Sequence, residues 1–498
     1  MTAVSFYEYA EQQPDRIAVI DPDGTTTTYR ELHERANQIA HALRAAGLGS
    51  GARIALLAEN SVRYFEWALG AGQAGVQYVP VNTHLTTDET AYILTNSGAE
   101  LVFADPPYVK RARACLPPTA HLVTDPDAFR RGRPTEPPMP RVHAQVLLYT
   151  SGTTGRPKGV TWAVSATVDP ETALAAQDPL MARRGLRHDP GAVSLVTGPL
   201  YHGAPGAWGL YGLHHGHTVV LAGKWDSERF LRLVERYGVT TAQLAPIHFH
   251  RLLQLPAEIR ERHDTRSLQV VSHAGAPTPV AVKRRMMEWW GPVLWEFYAC
   301  SEGFGTSISP VEWLAHPGSV GRADGDGAQM TILDDDGNEL PPGEPGTLWV
   351  RNPGGIGSEY LGDPEKTAAG RRGEFYSVGD IAYLDADGWL YLVDRRTDLI
   401  LSGAVNIYPA EVENALRDHP DVEDVAVVGA PDPEWGERVR AVVVLRPGAA
   451  PDEDGLRRHA ERTLARFKVP AEFEFRAALP YTPTGKLLRR VLKEERPG

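Results

Sequence analysis

Residues 149–159 read YTSGTTGRPKG and continue from the short apolar run Val146–Tyr149. An apolar strand here leads directly into a loop of small hydroxyl residues and glycines that ends near one lysine, Lys158. Such a loop presents backbone N–H groups, hydroxyls and an ammonium group to phosphate oxygens. It is not a Walker A loop, because Lys158 lies three residues after Gly155, whereas that motif needs consecutive Gly-Lys-Ser/Thr. The stretch therefore predicts a phosphate-binding loop outside the P-loop kinases and ATPases, and a flexible surface loop is the alternative.

The segments around this loop alternate between apolar strands and helices. Residues 53–58 and 77–81 read as strands, and a helix near 61–74 separates them, which is the rhythm of a parallel sheet. The Ala-rich stretch 165–190 predicts helix. Further strands are predicted at 146–149, 193–197, 218–221 and 270–273. The fold class is therefore α/β.

The pattern of predicted secondary structure along the sequence changes twice toward the C-terminus. From about residue 316 it consists of short strands and turns, which predicts a β-rich subdomain over about 316–394. After Asp394, new helices and strands with their own apolar faces follow, and about 100 residues are enough for a separate domain. We expect a large N-terminal domain of several subdomains with mixed sheets over 1–394 and a small α+β C-terminal domain over 395–498.

Composition excludes several classes of protein. The chain has 498 residues, of which 42% are hydrophobic and 23% charged, and this balance is that of a globular protein rather than a disordered chain. A formal net charge of −12 argues against nucleic acid as a partner. Two cysteines, Cys115 and Cys300, cannot form a disulfide framework and fit a reducing cytoplasm. We expect no signal peptide and no transmembrane segment, and hence a cytoplasmic protein.

Five further short motifs carry polar or charged side chains. They are HAGAP at 273–277, YACSEG at 298–303, SVGD at 377–380, DRRTD at 394–398 and PTGK at 483–486. Glu302 supplies an anion that suits Mg²⁺ beside a phosphate site. Asp380 can accept hydrogen bonds from both hydroxyls of a ribose, and Arg395 offers a forked donor. Taken singly, each of these side chains has a plainer interpretation as a solvated or turn-forming residue.

Together, and in this order along the chain, the six motifs resemble those of the adenylate-forming superfamily, which includes acyl-CoA synthetases, peptide-synthetase adenylation domains and firefly-type luciferases. The resemblance implies that a carboxylate attacks the α-phosphorus of ATP and that the acyl-adenylate then reacts with a nucleophile, commonly coenzyme A. It also implies that the C-terminal domain is mobile and swings between the two half-reactions. On this resemblance, ATP is bound by Thr150, Ser151, Gly152, Thr153, Thr154, Gly155, Lys158, Gly275, Ala276, Pro277, Phe297, Tyr298, Ser301, Asp380 and Arg395.

The resemblance also implies catalytic residues and an acyl pocket. Lys486, Glu302 and His202 are the expected catalytic residues, and Glu302 with Thr154 would bind Mg²⁺. The expected pocket residues are His202, Trp208, His248, Ala299 and Gly303. Bulky and polar side chains in these positions favour a compact or aromatic acid over a long-chain one.

The resemblance identifies residues 394–398 as the hinge before the C-terminal domain. The loop after this expected hinge departs from the pattern of acyl-CoA synthetases, which usually read Ser-Gly-Gly-x-Asn-Ile. Residues 402–407 read SGAVNI, so Ala404 places a methyl group where glycine permits close approach. Gly403 and Ala404 would line the acceptor channel. If the change is tolerated, the acceptor is coenzyme A. If it alters the channel, the acceptor is an amine, a carrier-protein thiol or, as in the diazotase branch of the superfamily, nitrite.

Three histidines lie close together at His214, His215 and His217. No fourth ligand and no metal-site spacing is evident, so these residues predict a turn rather than a metal site. The sequence as a whole predicts an ATP-dependent carboxylate–CoA ligase. Its partners would be small molecules (ATP, an organic acid, and coenzyme A or another acceptor), and it would act as a monomer or homodimer. A non-catalytic nucleotide sensor is the rival from another class, although it would not need Lys486.

Overall fold

The structure is a computed structural model. It describes residues 5–150, 157–162, 168–276, 278–325, 327–352, 357–395, 398–402, 405–432, 436–482 and 486–495. Of residues 150, 395, 405 and 406 it describes the backbone alone.

Helices occur throughout the chain. They are α1 (Phe6–Gln12), α2 (Tyr29–Ala45), α3 (Val62–Gln73), α4 (Thr87–Ser97), α5 (Val109–Ala114), α6 (Pro126–Arg130), α7 (Pro170–Ala175), α8 (Asp178–Arg183), α9 (Gly203–His214), α10 (Ser227–Tyr237), α11 (Pro246–Leu253), α12 (Ala257–Arg262), α13 (Val280–Trp290), α14 (Pro310–Ala315), α15 (Pro364–Ala369), α16 (Pro409–Arg417), α17 (Glu453–Glu461) and α18 (Arg489–Glu494).

The strands of the described residues form five sheets. They are β1 (Ile17–Ile20), β2 (Thr26–Thr28), β3 (Arg53–Leu57), β4 (Gln77–Pro80), β5 (Leu101–Ala104), β6 (His121–Val123), β7 (Leu148–Thr150), β8 (Lys158–Trp162), β9 (Val193–Val196), β10 (Thr218–Leu221), β11 (Thr241–Leu244), β12 (Val270–His273), β13 (Leu294–Ala299), β14 (Gly305–Ile308), β15 (Arg322–Ala323), β16 (Gln329–Leu333), β17 (Gly346–Arg351), β18 (Ser358–Tyr360), β19 (Arg371–Arg372), β20 (Phe375–Tyr376), β21 (Asp380–Leu384), β22 (Leu390–Arg395), β23 (Ile400–Ser402), β24 (Val405–Ile407), β25 (Val422–Asp432), β26 (Gly436–Leu445) and β27 (Glu472–Phe475).

The largest sheet has nine strands in the order β15-β14-β13-β12-β11-β9-β10-β1-β2. Its central strands from β13 to β1 pair in parallel, and the outer pairs are antiparallel. Parallel strands place their carboxyl ends at one edge, which is where ligands of open α/β sheets bind. Strands β12 and β13 are neighbours, so the segments after His273 and Ala299 emerge side by side at this edge.

The remaining sheets divide into an N-terminal group and a C-terminal sheet. A parallel sheet has the order β4-β3-β5-β6, and a small antiparallel sheet has the order β18-β8-β7. The predicted β-rich region contains the antiparallel sheet β19-β20-β17-β21-β22, with β16 beside β17. The C-terminal sheet β24-β23-β26-β25, with β27 on β26, packs with α16 and α17 around its own apolar core. The predicted α/β fold, with a large N-terminal domain and a small C-terminal one, is confirmed.

The stretch 165–190, which the sequence predicts to be helical, is helical only in part. Within its described part the chain forms two short helices, α7 and α8, followed by an irregular segment. Pro179 has no N–H to donate to a preceding turn, so it is tolerated in the first turn of a new helix and not inside a continuous one. Among the described residues no helix combines the length and apolar character needed to cross a lipid bilayer.

A buried ion pair joins helix α13 to strand β13 of the large sheet. Lys283 of α13 donates to Glu296 of β13 at 2.6 Å, and both side chains are almost completely excluded from solvent. The ammonium group lies 4.7 Å from the centre of the Trp313 ring. His273, the last residue of β12, lies 3.7 Å from the same Glu296 carboxylate. The pair therefore ties α13 to the strands from which the candidate site emerges.

We expect Lys283→Met to lower the free energy of unfolding by about 3–5 kcal/mol, because it leaves the Glu296 carboxylate buried without its cation. The double variant Lys283→Met/Glu296→Met removes both charges and should recover most of that loss. The measurement is the free energy of the first urea-unfolding transition, followed by tryptophan fluorescence. A single variant as stable as the double one would contradict this account.

Candidate active site

The predicted phosphate loop joins two paired strands. Strand β7 enters it and β8 leaves it, and Thr150 and Lys158 face each other across the antiparallel pair. Residues Ser151, Gly152, Thr153, Thr154 and Gly155 lie outside the described residues. Strand β18 pairs with the other side of β8 and brings Tyr360 opposite Val160. The Lys158 ammonium group consequently lies 5.0 Å from the centre of the Tyr360 ring.

Tyr360 connects this small sheet to Glu302. Its hydroxyl donates to Glu302 Oε1 at 2.7 Å. Burial and the Glu302 carboxylate raise the pKa of Tyr360, so the phenol keeps the proton that it donates. The bond occupies one carboxylate oxygen, and carboxylate oxygens are the donors that Mg²⁺ prefers. Glu302 therefore fits the expected role of magnesium ligand, and its expected partner Thr154 lies outside the described residues.

The backbone around Glu302 is held by buried polar groups. Asn352 donates from Nδ2 to the Glu302 carbonyl at 3.0 Å. The Tyr376 hydroxyl lies 3.0 Å from the same carbonyl and accepts the Phe304 N–H at 3.0 Å. Ser301 lies in this turn between Cys300 and Glu302. The turn that carries Glu302 is thus fixed by residues of the β-rich sheet.

Strand β13 reaches the β-rich sheet at a second point. The Tyr298 hydroxyl donates to Asp380 Oδ2 at 2.5 Å, and the Asp380 side chain is buried. Asp380 also pairs across the sheet with Arg395, of which the backbone alone is described. Asp380, the expected ribose ligand, therefore lies opposite Arg395. The Arg184 guanidinium group lies over the ring of Phe297, on the same strand as Tyr298, 4.3 Å from the ring centre.

The loop expected beside adenine begins at the end of β12. Gly275 has φ +94°, a left-handed conformation that favours glycine, and Ala276 follows it. Pro277 lies outside the described residues. His273, which precedes the loop, is completely buried, and its Nδ1 lies 3.2 Å from the Thr278 hydroxyl. The loop is therefore anchored on both sides of its glycine.

The charge of Lys158 is sensitive to its surroundings. Burial, and then the neighbouring ammonium group of Lys366 on α15, lower the pKa of Lys158 to about 8. The carboxylates of Glu302 and Asp363 oppose this shift. Lys158 consequently keeps its positive charge at neutral pH and loses it in mildly alkaline solution. Two lysines and one glutamate thus meet where the sequence predicts a polyphosphate.

His202 is the residue before α9, and burial lowers its pKa to about 4. Its imidazole is therefore neutral, and Nε2 has no hydrogen-bond partner among the described residues. The Tyr201 ring lies 4.7 Å away. Trp208, one and a half turns further along α9, is buried in the core of the N-terminal domain.

His248 lies in the first turn of α11 and makes packing contacts. Its ring stacks on Trp225 at 3.7 Å, and Nδ1 accepts the Ala245 N–H at 3.2 Å. These contacts orient the ring toward the start of its own helix. The structure thus surrounds His248 with its own helix and Trp225, and a role in an acyl pocket stays a prediction.

Gly303 lies in the turn between β13 and β14 and packs against Trp162 of the small sheet. Its φ is +98°, and a β-carbon at this position would lie 1.8 Å from Cη2 of Trp162, the last residue of β8. The indole ring therefore lies directly against the Gly303 backbone, at the end of the Glu302 turn. Ala299, at the end of β13, pairs with Gly305 across the same turn.

The sequence motifs contain only some of the residues at this site. They include Lys158, Glu302 and Asp380, but not the neighbouring residues Trp162, Asn352, Tyr360, Lys366 and Tyr376. These residues reach the site through long-range strand pairing and lie outside the short motifs. The available signal was indirect, in that Tyr360 and Tyr376 occur within a segment of the predicted β-rich region.

Lys486 lies in the C-terminal domain, three residues before α18. Its carbonyl accepts the Thr482 N–H at 2.8 Å, and its own N–H donates to the Thr482 hydroxyl at 2.9 Å. These two bonds fix the backbone of Lys486 across residues 483–485, which lie outside the described residues. The expected acceptor-channel residues Gly403 and Ala404 also lie outside them.

Comparison with known proteins gives the family. The profile described as AMP-binding enzyme matches residues 6–361, and that of the AMP-binding enzyme C-terminal domain matches residues 411–486. A fatty acid–[acyl-carrier-protein] ligase of Streptomyces coeruleorubidus is 34% identical, over 98% of this chain and 94% of the relative. A feruloyl-CoA synthase of an Amycolatopsis species is 35% identical, over 94% of this chain and 93% of the relative.

A solved structure has the same fold along nearly its whole length. The amide bond synthetase of Marinactinospora thermotolerans superimposes with a TM-score of 0.82 at 30% identity, over 98% of this chain and 99% of that one. The two profiles, the relatives and the superposition agree with the family resemblance of the sequence. The chain belongs to the AMP-binding enzymes, the ATP-dependent ligases of the adenylate-forming superfamily.

Proposed function

We propose that this enzyme activates a compact or aromatic carboxylic acid as its acyl-adenylate and transfers the acyl group to coenzyme A. The observation that carries the proposal is the convergence of Lys158, Tyr360 and Glu302 beside the Tyr298–Asp380 pair. A cation, a magnesium ligand and a ribose acceptor there meet at the carboxyl edge of the large sheet. That set of groups matches a nucleoside triphosphate.

In the first step, a carboxylate oxygen of the acid attacks the α-phosphorus of ATP. The bond from that phosphorus to the bridging oxygen breaks, and pyrophosphate leaves with the bonding electrons. Lys158 stabilises the charge on the phosphates, and Lys486 is expected to approach the carboxylate and the α-phosphate. Mg²⁺ bound by Glu302 would neutralise further charge on the phosphates.

In the second step, the sulfur of coenzyme A attacks the acyl carbon and AMP leaves. The thiol proton passes to solvent, and the products are a thioester and AMP. The feruloyl-CoA synthase among the relatives supports this acceptor. The proposed boundary between residues 394 and 395 would let the C-terminal domain turn between the two steps.

A second acceptor class has its own support. The superimposed solved structure is an amide bond synthetase, one relative is a carrier-protein ligase, and Ala404 departs from the usual glycine of the thiol channel. An amine or a carrier thiol would attack the same acyl carbon. The decisive experiment follows pyrophosphate release against a panel of acids and identifies products by mass spectrometry with coenzyme A, with amines and with neither. Multiple-turnover acyl-CoA formation supports the main proposal, and amide formation in its place would overturn it.

Trp162 is the side chain that supports a compact acid, because its ring closes the space against Gly303. We expect Trp162→Ala to raise kcat/KM for eight- to ten-carbon acids relative to the best compact acid by about tenfold or more, since about 1.4 kcal/mol of lost steric cost gives that ratio. The measurement is the ratio of the two kcat/KM values. Trp289→Ala, on α13 beside Arg260, is the matched control. An unchanged ratio in Trp162→Ala would contradict a pocket limited by this ring.

We expect Lys486→Ala to reduce acyl-adenylate formation by about 10²–10³-fold, the loss typical of one transition-state donor. ATP affinity should stay the same, because Lys486 is expected to act on the reacting centre. Pyrophosphate release in single turnovers gives the rate, and equilibrium binding gives the affinity. Lys493→Ala, in the same domain, is the control. Unchanged adenylation would exclude this role for Lys486.

The pH dependence of kcat/KM for ATP should follow the Lys158 ammonium group. Below about pH 8 the group is charged and binds phosphate, and above that pH the value of kcat/KM should fall as the proton is lost. Lys366→Gln removes a neighbouring positive charge, so it should raise the Lys158 pKa and move the alkaline limb to higher pH. The exposed Lys110→Gln is the matched control. A limb that does not move in Lys366→Gln would exclude Lys158 as its source.

A further inference from the structure

A cluster of four potential metal ligands lies between α8 and α9 and contains none of the candidate active-site residues. Asp178 is the first residue of α8, His188 follows that helix, and His214 and His215 end α9. His215 Nε2 lies 2.9 Å from Asp178 Oδ1, and His188 Nε2 lies 3.0 Å from Oδ2. The four ligand atoms all lie within 4.8 Å of one another. Within the described part of the chain this is the one group of three or more such side chains.

Burial makes this arrangement costly unless something fills it. The His214 and His215 side chains are each 1% exposed. His214 Nε2 points toward the carboxylate at 3.8 Å and has no hydrogen-bond partner among the described residues. A buried polar atom without a partner is destabilising. A cation between the imidazoles and the carboxylate would bind this nitrogen once its hydrogen has moved to Nδ1.

The histidine rings of the cluster lie close together. The His188 ring centre lies 4.1 Å from that of His215 and 5.7 Å from that of His214. His188 is exposed, and it leaves a route to the site from solvent.

We propose that Asp178, His188, His214 and His215 form a tetrahedral site for a divalent transition metal of the zinc type. Three imidazole nitrogens and one carboxylate oxygen are ligands that Zn²⁺ takes, and a site closed by four protein ligands is typical of a structural metal. The ion would join α8 to the end of α9. No step of the proposed adenylation depends on it.

One contact ranks the four ligands. His214 Nδ1 accepts the Phe6 N–H at 3.4 Å, which places the hydrogen of the neutral ring on Nε2. A metal on Nε2 needs that hydrogen on Nδ1, so this long hydrogen bond has to be given up. Asp178, His188 and His215 therefore supply the three stronger bonds, and His214 completes the coordination at a cost.

The site lies at the far ends of two elements that reach the active site. Helix α9 starts immediately after His202 and ends at His214. Arg184 follows α8 and carries its guanidinium group over Phe297, on the strand that leads to Glu302. A bound ion would fix both elements in the N-terminal domain. Its effect is therefore on stability.

The test uses the untagged full chain after treatment with a chelator. Co²⁺ is the probe because its visible absorption reports tetrahedral coordination. We expect one equivalent of Co²⁺ to bind with tetrahedral bands, to be displaced by Zn²⁺, and to raise the Tm of the chain. His188→Ala should weaken binding by at least about 100-fold, and because His188 is exposed the variant should fold normally.

The exposed His121→Ala is the matched control and should bind Co²⁺ like the parent chain. His214→Ala should weaken binding less than His215→Ala, because His214 gives up a hydrogen bond in order to coordinate. Failure of the chelated chain to take up Co²⁺ would overturn the proposal. So would equal Co²⁺ affinity in His188→Ala and the parent chain, since the ion would then be bound elsewhere.

Discussion

The hydrogen bond from Tyr360 to Glu302 is the contact on which the candidate site depends. Tyr360 belongs to the small sheet that frames the phosphate loop, and Glu302 follows the central strand β13. Tyr376, which lies against the Glu302 carbonyl, belongs to the β-rich sheet. Three separate sheets thus meet at one turn. The placement of a carboxylate beside Lys158 requires all three, which explains why so long a chain surrounds so small a site.

The short motifs contain the expected site residues but not the residues that contact them. Lys158, Glu302 and Asp380 lie in motifs whose residue types suit phosphate, magnesium and ribose, so local pattern was enough to propose them. Trp162 and Tyr360 reach the site only because β8 pairs with β18, some 200 residues later in the sequence. Register between such distant strands is set by packing and not by local propensity. A single sequence therefore gave the α/β class and the order of the domains but not this pairing.

The histidine cluster shows the same limit in another way. His214 and His215 were visible as neighbours, and the turn predicted there is real, since α9 ends at this point. Asp178 and His188 were hidden because 165–190 was read as helical throughout. The break before Pro179 starts a new helix at Asp178, and its carboxylate contacts His188 and His215. One proline thus decides whether the third and fourth ligands are within reach.

Ion pairs also connect the proposed hinge to the segment of Lys486, the residue expected to act on the substrate carboxylate. Arg489 donates to Glu413 at 2.6 Å and lies 3.6 Å from Asp398, while the Asp394 carboxylate attracts it electrostatically. Asp394 precedes the proposed hinge and Asp398 follows it, so the Arg489 guanidinium group interacts with carboxylates on both sides of the hinge. Lys486 is only three residues before Arg489. A rotation that separates Asp394 from Asp398 must therefore strain or exchange these contacts, and the same movement displaces Lys486. The position of Lys486 for this reason depends on the orientation of the C-terminal domain.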